Sequence, residues 1–138
     1  MILLDTDTFG FLIAERPRVA DRFRAATDQV AITIITRIEV LDGRFAFVRK
    51  AADGDQLLRA QEWLRRSEKD LARFPVVPLN AGAAAEFDQL RDNRRLRKIG
   101  RGDLLIACIA LANRATLVSR NLRDFRQVPG LQVENWAD

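Results

Sequence analysis

Short apolar runs alternate along this chain with longer segments whose apolar residues recur at helical spacing. The runs at residues 2–4, 30–32 and 116–118 are too short for helices and predict buried strands. Residues 74–79, rich in proline and valine, predict a short edge strand, and residues 131–133 predict a last strand. Because parallel strands need crossover connections, this alternation favours an α/β sandwich with a mainly parallel central sheet.

The helical signals lie between these strands. Thr6 or Asp7 is the predicted N-cap of the first helix. Residues 81–96 are predicted as one helix, and a Gly-Arg-Gly interruption then precedes Asp103, which is predicted to open the most apolar helix. Residues 119–124 carry no helical pattern and are predicted as a loop.

Length and composition fit one domain spanning residues 1–138, since 48% of the residues are apolar and can bury a core. The apolar run at residues 104–112 is too short to span a bilayer. No basic segment precedes the acid at position 5, so the N-terminus does not resemble a signal peptide. The single cysteine, Cys108, suits a reducing cytosol and lies among apolar residues typical of a core. We therefore expect a cytoplasmic protein without a membrane segment.

The residues that the chain lacks limit its chemistry. It contains no histidine, no tyrosine and one cysteine. It therefore cannot build a serine–histidine triad, a histidine metal site or a thiolate zinc site. Enzymatic chemistry would depend on carboxylates, hydroxyls, amides, lysine, arginine or the one cysteine. Carboxylates favour hard cations such as Mg²⁺ or Mn²⁺.

Three acids stand where a parallel sheet places its functional groups. Asp5 follows the first strand, Glu39 lies in the helix after the second strand, and Asp103 follows the two glycines. Ligands of such sheets bind beyond the carboxyl ends of the strands, so these acids can converge at one edge. Each has a structural alternative, because Asp103 could only cap its helix and Glu39 could be a solvated helix residue. Asp5 is harder to explain in this way, since burying an unpaired carboxylate is costly.

A cluster of bases precedes Asp103 in a chain whose net charge is +4. It comprises Arg91, Arg94, Arg95, Arg97, Lys98 and Arg101. Bases beside an acidic pocket predict contacts with the phosphates of a polyanion, although a solvated helix face is the alternative. The candidate substrate-binding residues are Arg97, Lys98, Arg101, Ser119 and Arg120.

Four segments combine these acids with distinctive neighbours. They are residues 2–7 (ILLDTD), 34–40 (IITRIEV), 99–107 (IGRGDLLIA) and 117–125 (LVSRNLRDF). Together with the ending at residues 128–136, their order and spacing resemble PIN-domain ribonucleases and, within them, the VapC-type toxins of toxin–antitoxin pairs. The resemblance covers residues 2–136 and implies a PIN-like three-layer α/β/α sandwich.

The resemblance also implies an acidic pocket that holds one or two Mg²⁺ or Mn²⁺ ions. Asp5, Glu39 and Asp103 match the three main acids of the family. A metal held there would lower the pKa of a bound water and neutralise charge on a phosphodiester. The implied activity is endoribonuclease cleavage that leaves a 3′-hydroxyl and a 5′-phosphate. The hydroxyls of Thr6 and Thr36 could support the acids, or could serve only as caps.

The fourth acid of the family falls in the loop after the fourth strand, where this chain departs from the pattern. Asn121 occupies the position at which many relatives carry an acid, and Asp124 follows three residues later. Asn121 could hold a water or ligate weakly through its carbonyl, while Asp124 could supply the missing charge. We therefore include both as candidate catalytic residues, and Asp124 as a candidate metal ligand. Asp7 also differs from the asparagine that relatives often carry there.

The partners implied by the resemblance are an RNA substrate, a small antitoxin whose chain wraps the toxin, and a second copy in a homodimer. Candidate positions for an apolar binding groove are Phe9, Phe11, Leu12, Phe45, Phe47 and Trp63. Two other functions stay open. The chain could be a PIN-like domain that binds RNA or protein without catalysis. It could also be a haloacid-dehalogenase-like phosphatase, although Phe9 and Ala107 stand where that family carries motif residues.

Overall fold

The computed structural model describes residues 1–138 and alternates five strands with seven helices. The strands are β1 (Ile2–Leu4), β2 (Val30–Thr33), β3 (Val76–Val77), β4 (Thr116–Val118) and β5 (Gln132–Glu134). The helices are α1 (Thr6–Ile13), α2 (Pro17–Ala25), α3 (Ile34–Lys50), α4 (Gly54–Leu71), α5 (Ala81–Leu90), α6 (Arg101–Ala112) and α7 (Leu122–Phe125). Every strand pairs in parallel, in the order β3-β2-β1-β4-β5, so the predicted parallel sheet is confirmed.

Helices cover both faces of this sheet, because successive residues of its central strands point to opposite sides. Leu3 and Leu117 belong to one core, which α5 and α6 complete, whereas Leu4 and Val118 belong to a second core with α1, α2 and α4. All four side chains are fully buried, so the central strands are apolar on both faces, as parallel strands usually are. The predicted three-layer α/β/α sandwich is confirmed.

The strand order places the carboxyl ends of β1, β2 and β4 side by side. Leu4 pairs with Ile32 on one side and with Val118 on the other, so the residues that follow these positions meet at one edge. The Asp5 N–H donates to the Val118 carbonyl at 3.0 Å and joins the ends of β1 and β4. The order of the strands reverses at β1, and open α/β sheets bind their ligands at such a switch point.

The helix predicted over residues 81–96 is shorter than expected. It ends at Leu90, and the chain then forms a separate 3₁₀ turn, Arg94–Leu96. The side chain of Asn93 accepts a hydrogen bond from the Arg95 N–H at 3.0 Å and caps this turn. Asparagine competes with the helix in this way because its side chain can replace a backbone acceptor. The basic cluster therefore lies between the end of α5 and the start of α6, and this turn carries two of its members.

Two further boundaries differ from the prediction, and one strand is shifted by a single residue. α6 begins at Arg101, so Asp103 lies within its first turn and does not open it. Residues 119–124 were predicted as a loop but contain most of α7, which Asn121 caps. β5 begins one residue later than predicted. No helix combines the length and the apolar character needed to cross a bilayer.

Candidate active site

Asp5 is the buried acid at the carboxyl end of β1. Its side chain caps α1 by accepting from the Thr8 N–H at 2.8 Å, so the predicted caps, Thr6 and Asp7, are wrong. Only 6% of Asp5 is exposed, and burial raises the pKa of its carboxyl group. The Ser119 hydroxyl and the Thr8 hydrogen bond offset part of that increase. Burial alone would disfavour the ionised form of Asp5 at the sheet edge, and the capping hydrogen bond stabilises that form.

Glu39 reaches the same edge from the second turn of α3. Thr33 caps this helix by accepting from the Thr36 N–H at 3.2 Å. The Thr6 hydroxyl donates to Glu39 Oε1 at 2.8 Å and lies 3.1 Å from Thr36 Oγ1. On the other side, Gly102 is so near that a Cβ atom there would lie 3.0 Å from Glu39 Oε2. The Glu39 carboxylate is therefore held between the starts of α1 and α6.

Asp103 lies in the first turn of α6, half-buried. Its pKa is raised to about 6, first by burial and then by the charges of Asp5, Glu39 and Asp7, which disfavour its ionised form. Interaction with the Asn121 side chain lowers that pKa in part. The dipole of α6 also favours a negative charge at this position. The structure thus brings Asp5, Glu39 and Asp103 close enough together for their charges to interact.

Asn121 and Asp124 form one hydrogen-bonded unit after β4. Asn121 Nδ2 donates to Asp124 Oδ2 at 2.9 Å, and the Asp124 N–H donates to Asn121 Oδ1 at 3.4 Å. The Asn121 N–H in turn donates to Ser119 Oγ at 2.9 Å. Because Ser119 is fully buried, its hydroxyl supports this loop and Asp5, and is not open to a substrate. The Asn121 side chain lowers the pKa of Asp103, whereas Asp124 is hydrogen-bonded to Asn121.

No basic side chain neutralises the acidic cluster, which consists of Asp5, Asp7, Glu39 and Asp103. None of these four takes part in the ion pairs of the structure. Asp7 is exposed in the first turn of α1, and its charge contributes to the raised pKa of both Asp5 and Asp103. Asp7 was not among the predicted site residues. The available signal was its position two residues after Asp5 at a helix start.

The acidic cluster presents only oxygen donors, which are the type that Mg²⁺ and Mn²⁺ favour. No group of three or more of its side chains converges closely enough to enclose an ion. Mg²⁺ usually keeps several waters and binds one or two carboxylates, so this open cluster fits a hydrated ion better than an enclosed one. A divalent cation would also relieve the mutual repulsion of the carboxylates. The residues present therefore fit the predicted cofactor.

The bases predicted to bind substrate differ in their surroundings. Arg97 and Lys98 are exposed, follow the 3₁₀ turn and form no ion pair. Arg101 is exposed as well, and its guanidinium carbon lies 4.9 Å from the centre of the Phe87 ring of α5. Arg120 instead pairs with Asp138 at 3.1 Å, which compensates its charge. Three of the four predicted bases are therefore exposed and have no acidic partner within the protein.

Known proteins are similar to this chain in both sequence and fold. Residues 2–131 match the PIN domain family. The tRNA(fMet)-specific endonuclease VapC of Salmonella typhimurium is 28% identical over 138 residues, which cover 98% of this chain and 97% of that protein. Ribonuclease VapC1 of Haemophilus influenzae is 30% identical over 138 residues, with the same coverage of 98% and 97%.

A solved structure supports the same relationship. VapBC-1 from nontypeable Haemophilus influenzae superposes with a TM-score of 0.81 at 26% identity, and the match covers 100% of both chains. The family match spans β1 to the residue before β5 and includes the whole acidic cluster. The chain therefore belongs to the PIN domain family, in which it is similar over nearly its whole length to the VapC ribonucleases.

Proposed function

We propose that this protein is a metal-dependent endoribonuclease that acts as the toxin of a toxin–antitoxin pair. The observation that carries the proposal is the acidic cluster at the sheet edge, whose carboxylates have no cationic partner in the protein. Keeping such charges together is unfavourable, and perturbed carboxylates in one place are typical of a functional site. The names of the two VapC relatives support RNA as the substrate.

Each acid has a distinct part in this proposal. A bound Mg²⁺ or Mn²⁺ would supply an activated water and neutralise charge on the phosphate. Asp5 at the end of β1 and Asp103 at the start of α6 would hold the ion, together with Glu39 from α3. Burial and then repulsion by the neighbouring acids raise the pKa of Asp103, and a bound cation would relieve the repulsion. Asn121 orients Asp103 through its side-chain amide.

The basic residues at the start of α6 and just before it supply the proposed contacts with the RNA backbone. Arg97, Lys98 and Arg101 precede Asp103 by two to six residues and carry no compensating acid. Phosphate contacts of this kind position a nucleic acid without reading its sequence. The RNA backbone would lie along these bases while one phosphodiester enters the acidic cluster.

Cleavage of RNA by the purified protein tests the proposed activity. Initiator transfer RNA and total RNA are each incubated with Mg²⁺, with Mn²⁺ or with EDTA. We expect cleavage only with a metal, and a rate lower by about 100-fold or more in Asp103→Asn, because even indirect changes at metal sites cost ~10–100-fold. Asp42→Asn changes an exposed acid of the same charge on α3 that forms no ion pair, and should cleave at the wild-type rate.

Two results would contradict this activity. Cleavage that persists in EDTA or in Asp103→Asn would mean that the acidic cluster is not the catalytic centre. RNA binding without cleavage, with either metal and either RNA, would favour the non-catalytic PIN-like domain. The family match over residues 2–131 already favours a ribonuclease over the phosphatase alternative.

Exposed apolar side chains on α3 and α4 support an antitoxin partner, as does the similarity to VapBC-1. They are Phe45, Phe47, Leu57, Leu58 and Trp63. The rings of Phe47 and Trp63 lie 4.6 Å apart, and Trp63 also lines a cleft of about 310 Å³ with residues of α1 and α3. Of the other predicted groove positions, Phe9 and Leu12 are buried in the core. Apolar groups presented at a surface are typical of binding sites for a partner chain.

Growth of cells that express the protein tests the toxin role. We expect growth arrest by the wild type alone and rescue by a small protein encoded beside it. Trp63→Asp should arrest growth but escape rescue, because it places a charge in the apolar surface and leaves the acidic cluster unchanged. Normal growth with soluble wild-type protein would contradict the toxin role without contradicting ribonuclease activity.

The assembly and the compartment are also part of the proposal. We propose a homodimer, which light scattering would detect as twice the chain mass of 15.7 kDa. We further propose that the protein acts in the cytoplasm, where its RNA substrates are found. The one cysteine, Cys108, is unpaired and buried in the core, which is compatible with a reducing compartment.

A further inference from the structure

Glu39 is an exposed member of the acidic cluster, yet groups from two other elements restrict its carboxylate. One is the Thr6 hydroxyl at the start of α1, and the other is Gly102 in the first turn of α6. A glutamate on an exposed helix face would otherwise keep much of its rotamer freedom. Residues of α1 and α6 therefore restrict a carboxylate that belongs to α3.

The Thr6 hydroxyl fixes one oxygen of this carboxylate. A hydroxyl has one proton to donate, and an ionised carboxylate can only accept. Thr6 therefore donates to Glu39 Oε1, which lies 2.8 Å away. Thr36 Oγ1 lies 3.1 Å from the same Thr6 oxygen and is fully buried, so its own proton is directed to Thr6. The hydrogen bonds run in one direction, from Thr36 through Thr6 to Glu39.

Gly102 limits where the other oxygen can lie. A Cβ atom on Gly102 would be 3.0 Å from Glu39 Oε2 and 3.3 Å from Glu39 Cδ, which is closer than ordinary contact. The backbone of Gly102 is not left-handed, so an alanine could adopt the same conformation. The missing side chain therefore matters at this position because of the Glu39 carboxylate and not because of the turn.

We propose that Thr6 and Gly102 are positioning residues that set the Glu39 carboxylate for a divalent cation at the acidic cluster. The inference rests on the proposed function, because it requires this cluster to bind an ion. Neither residue contacts the ion in this arrangement, and both act through Glu39. Thr6 orients the carboxylate by a hydrogen bond, and Gly102 leaves the space in which it lies.

Calorimetric titration of the metal-free, full-length protein with Mn²⁺ tests the inference. Thr6→Val removes the hydroxyl at nearly constant volume, and Gly102→Ala adds the Cβ atom. We expect each variant to bind Mn²⁺ about 10-fold more weakly than the wild type, as is typical when a group that orients a metal ligand is lost. Thr6→Ser keeps the hydroxyl and should bind with nearly wild-type affinity.

Gly43→Ala is the matched control. Gly43 lies on the same helix as Glu39, and a Cβ atom added there would meet nothing within 4 Å. This variant should bind Mn²⁺ as the wild type does. Thermal unfolding without metal shows whether each variant is folded. Gly102→Ala should unfold at or above the wild-type temperature, because alanine is the better helix former and an exposed glutamate can move away.

The outcomes separate this inference from the proposed function. Wild-type affinity in folded Thr6→Val and Gly102→Ala would overturn the inference and leave the proposed metal site intact. An equal loss of affinity in Gly43→Ala would overturn it too, because the effect would not be specific to the Glu39 contact. If the wild type does not bind Mn²⁺, the acidic cluster is not a metal site and both proposals fail.

Discussion

Asp103 carries an electrostatic cost that the protein without a bound cation offsets only in part. Its carboxyl group ionises near pH 3.8 in an ordinary environment, but its pKa is about 6 in the folded protein. The folded state therefore holds the proton more tightly than the unfolded chain. Stability from this group is fully present below about pH 4 and is lost as the pH rises through about 6.

Asp103→Asn removes this cost, so the variant should be more stable than the wild type near neutral pH. We expect a gain of about 1 kcal/mol in the free energy of unfolding, a figure reduced for the solvent screening of a half-exposed group. The gain should disappear at a pH of about 4, where both proteins are uncharged at this position. Urea unfolding in EDTA at the two pH values measures it. Equal stability of the two proteins at neutral pH would contradict the prediction.

Asn121 and Asp124 should act as one unit. Asp124 both donates a hydrogen bond to the Asn121 side chain and accepts one from it. Removing Asp124 should therefore affect metal binding only by disturbing the Asn121 amide. We predict that Asn121→Ala weakens Mn²⁺ binding and that Asn121→Ala/Asp124→Ala is no weaker, a non-additive pair. Calorimetric titration of both single variants and the double variant measures the coupling. Losses that add would instead make Asp124 an independent metal ligand.

The role of a single residue could be predicted from the sequence where its position relative to a strand determines its surroundings in the fold. Asp5 could be selected because an acid that directly follows a buried strand lies at the sheet edge. The burial of Ser119 and the pairing of Arg120 with Asp138 could not, since both depend on where the end of the chain returns to the sheet. Gly102 was visible as a helix interruption, but its contact with Glu39 exists only in three dimensions.

At the scale of elements, the central strands β1, β2 and β4 were predictable because they are largely buried and hence continuously apolar. The helix predicted over residues 81–96 failed for a related reason. Leu96 is buried like Leu90 at the end of α5, so the apolar spacing continues. The backbone hydrogen bonds beyond Arg91 nevertheless join residues three apart and no longer four apart. The spacing of apolar residues indicates which side chains reach the core. A 3₁₀ turn can place a side chain in the core as well as an α-helix can, so this spacing does not distinguish the two.

Asp5 stabilises α1 as its N-cap, and this role can be separated from its proposed role in catalysis. Asparagine is as good an N-cap as aspartate, whereas alanine is poor and costs about 1 kcal/mol. We therefore predict that Asp5→Asn and Asp5→Ala both lose RNA cleavage, but that Asp5→Ala is the less stable by about 1 kcal/mol. Urea unfolding of the two variants makes the comparison. Equal stability would show that the hydrogen bond to the Thr8 N–H contributes little to α1.

At the scale of the whole molecule, the convergence of distant acids depends on a strand order that hydrophobic patterns do not specify. Alternating strands and helices are compatible with several orders, and only an order with β1 between β2 and β4 brings Asp5, Glu39 and Asp103 to one edge. The resemblance of four spaced segments to one family supplied that information. The acidic cluster and the bases at residues 97–101 then form two regions of opposite charge.

The bases should determine how RNA binding depends on salt. Arg97→Gln/Lys98→Gln removes two phosphate contacts, so it should weaken binding of every RNA similarly and reduce the slope of log K against log salt by about 1.5 to 2. Arg65→Gln/Lys69→Gln removes the same charge from exposed positions on α4 and should leave the slope nearly unchanged. Fluorescence anisotropy with labelled RNA in EDTA measures both. An equal change in the two variants would mean that only net charge matters.

The chemistry of the cleaved ends tests the central claim most directly, which is that the acidic cluster uses a divalent cation to direct water at a phosphodiester. Attack by water with the 3′-oxygen as leaving group gives a 5′-phosphate and a 3′-hydroxyl. We predict these ends on RNA cleaved with Mg²⁺, and no such ends with Asp103→Asn or EDTA. Products that end in a 2′,3′-cyclic phosphate, or that form equally without metal, would contradict the claim.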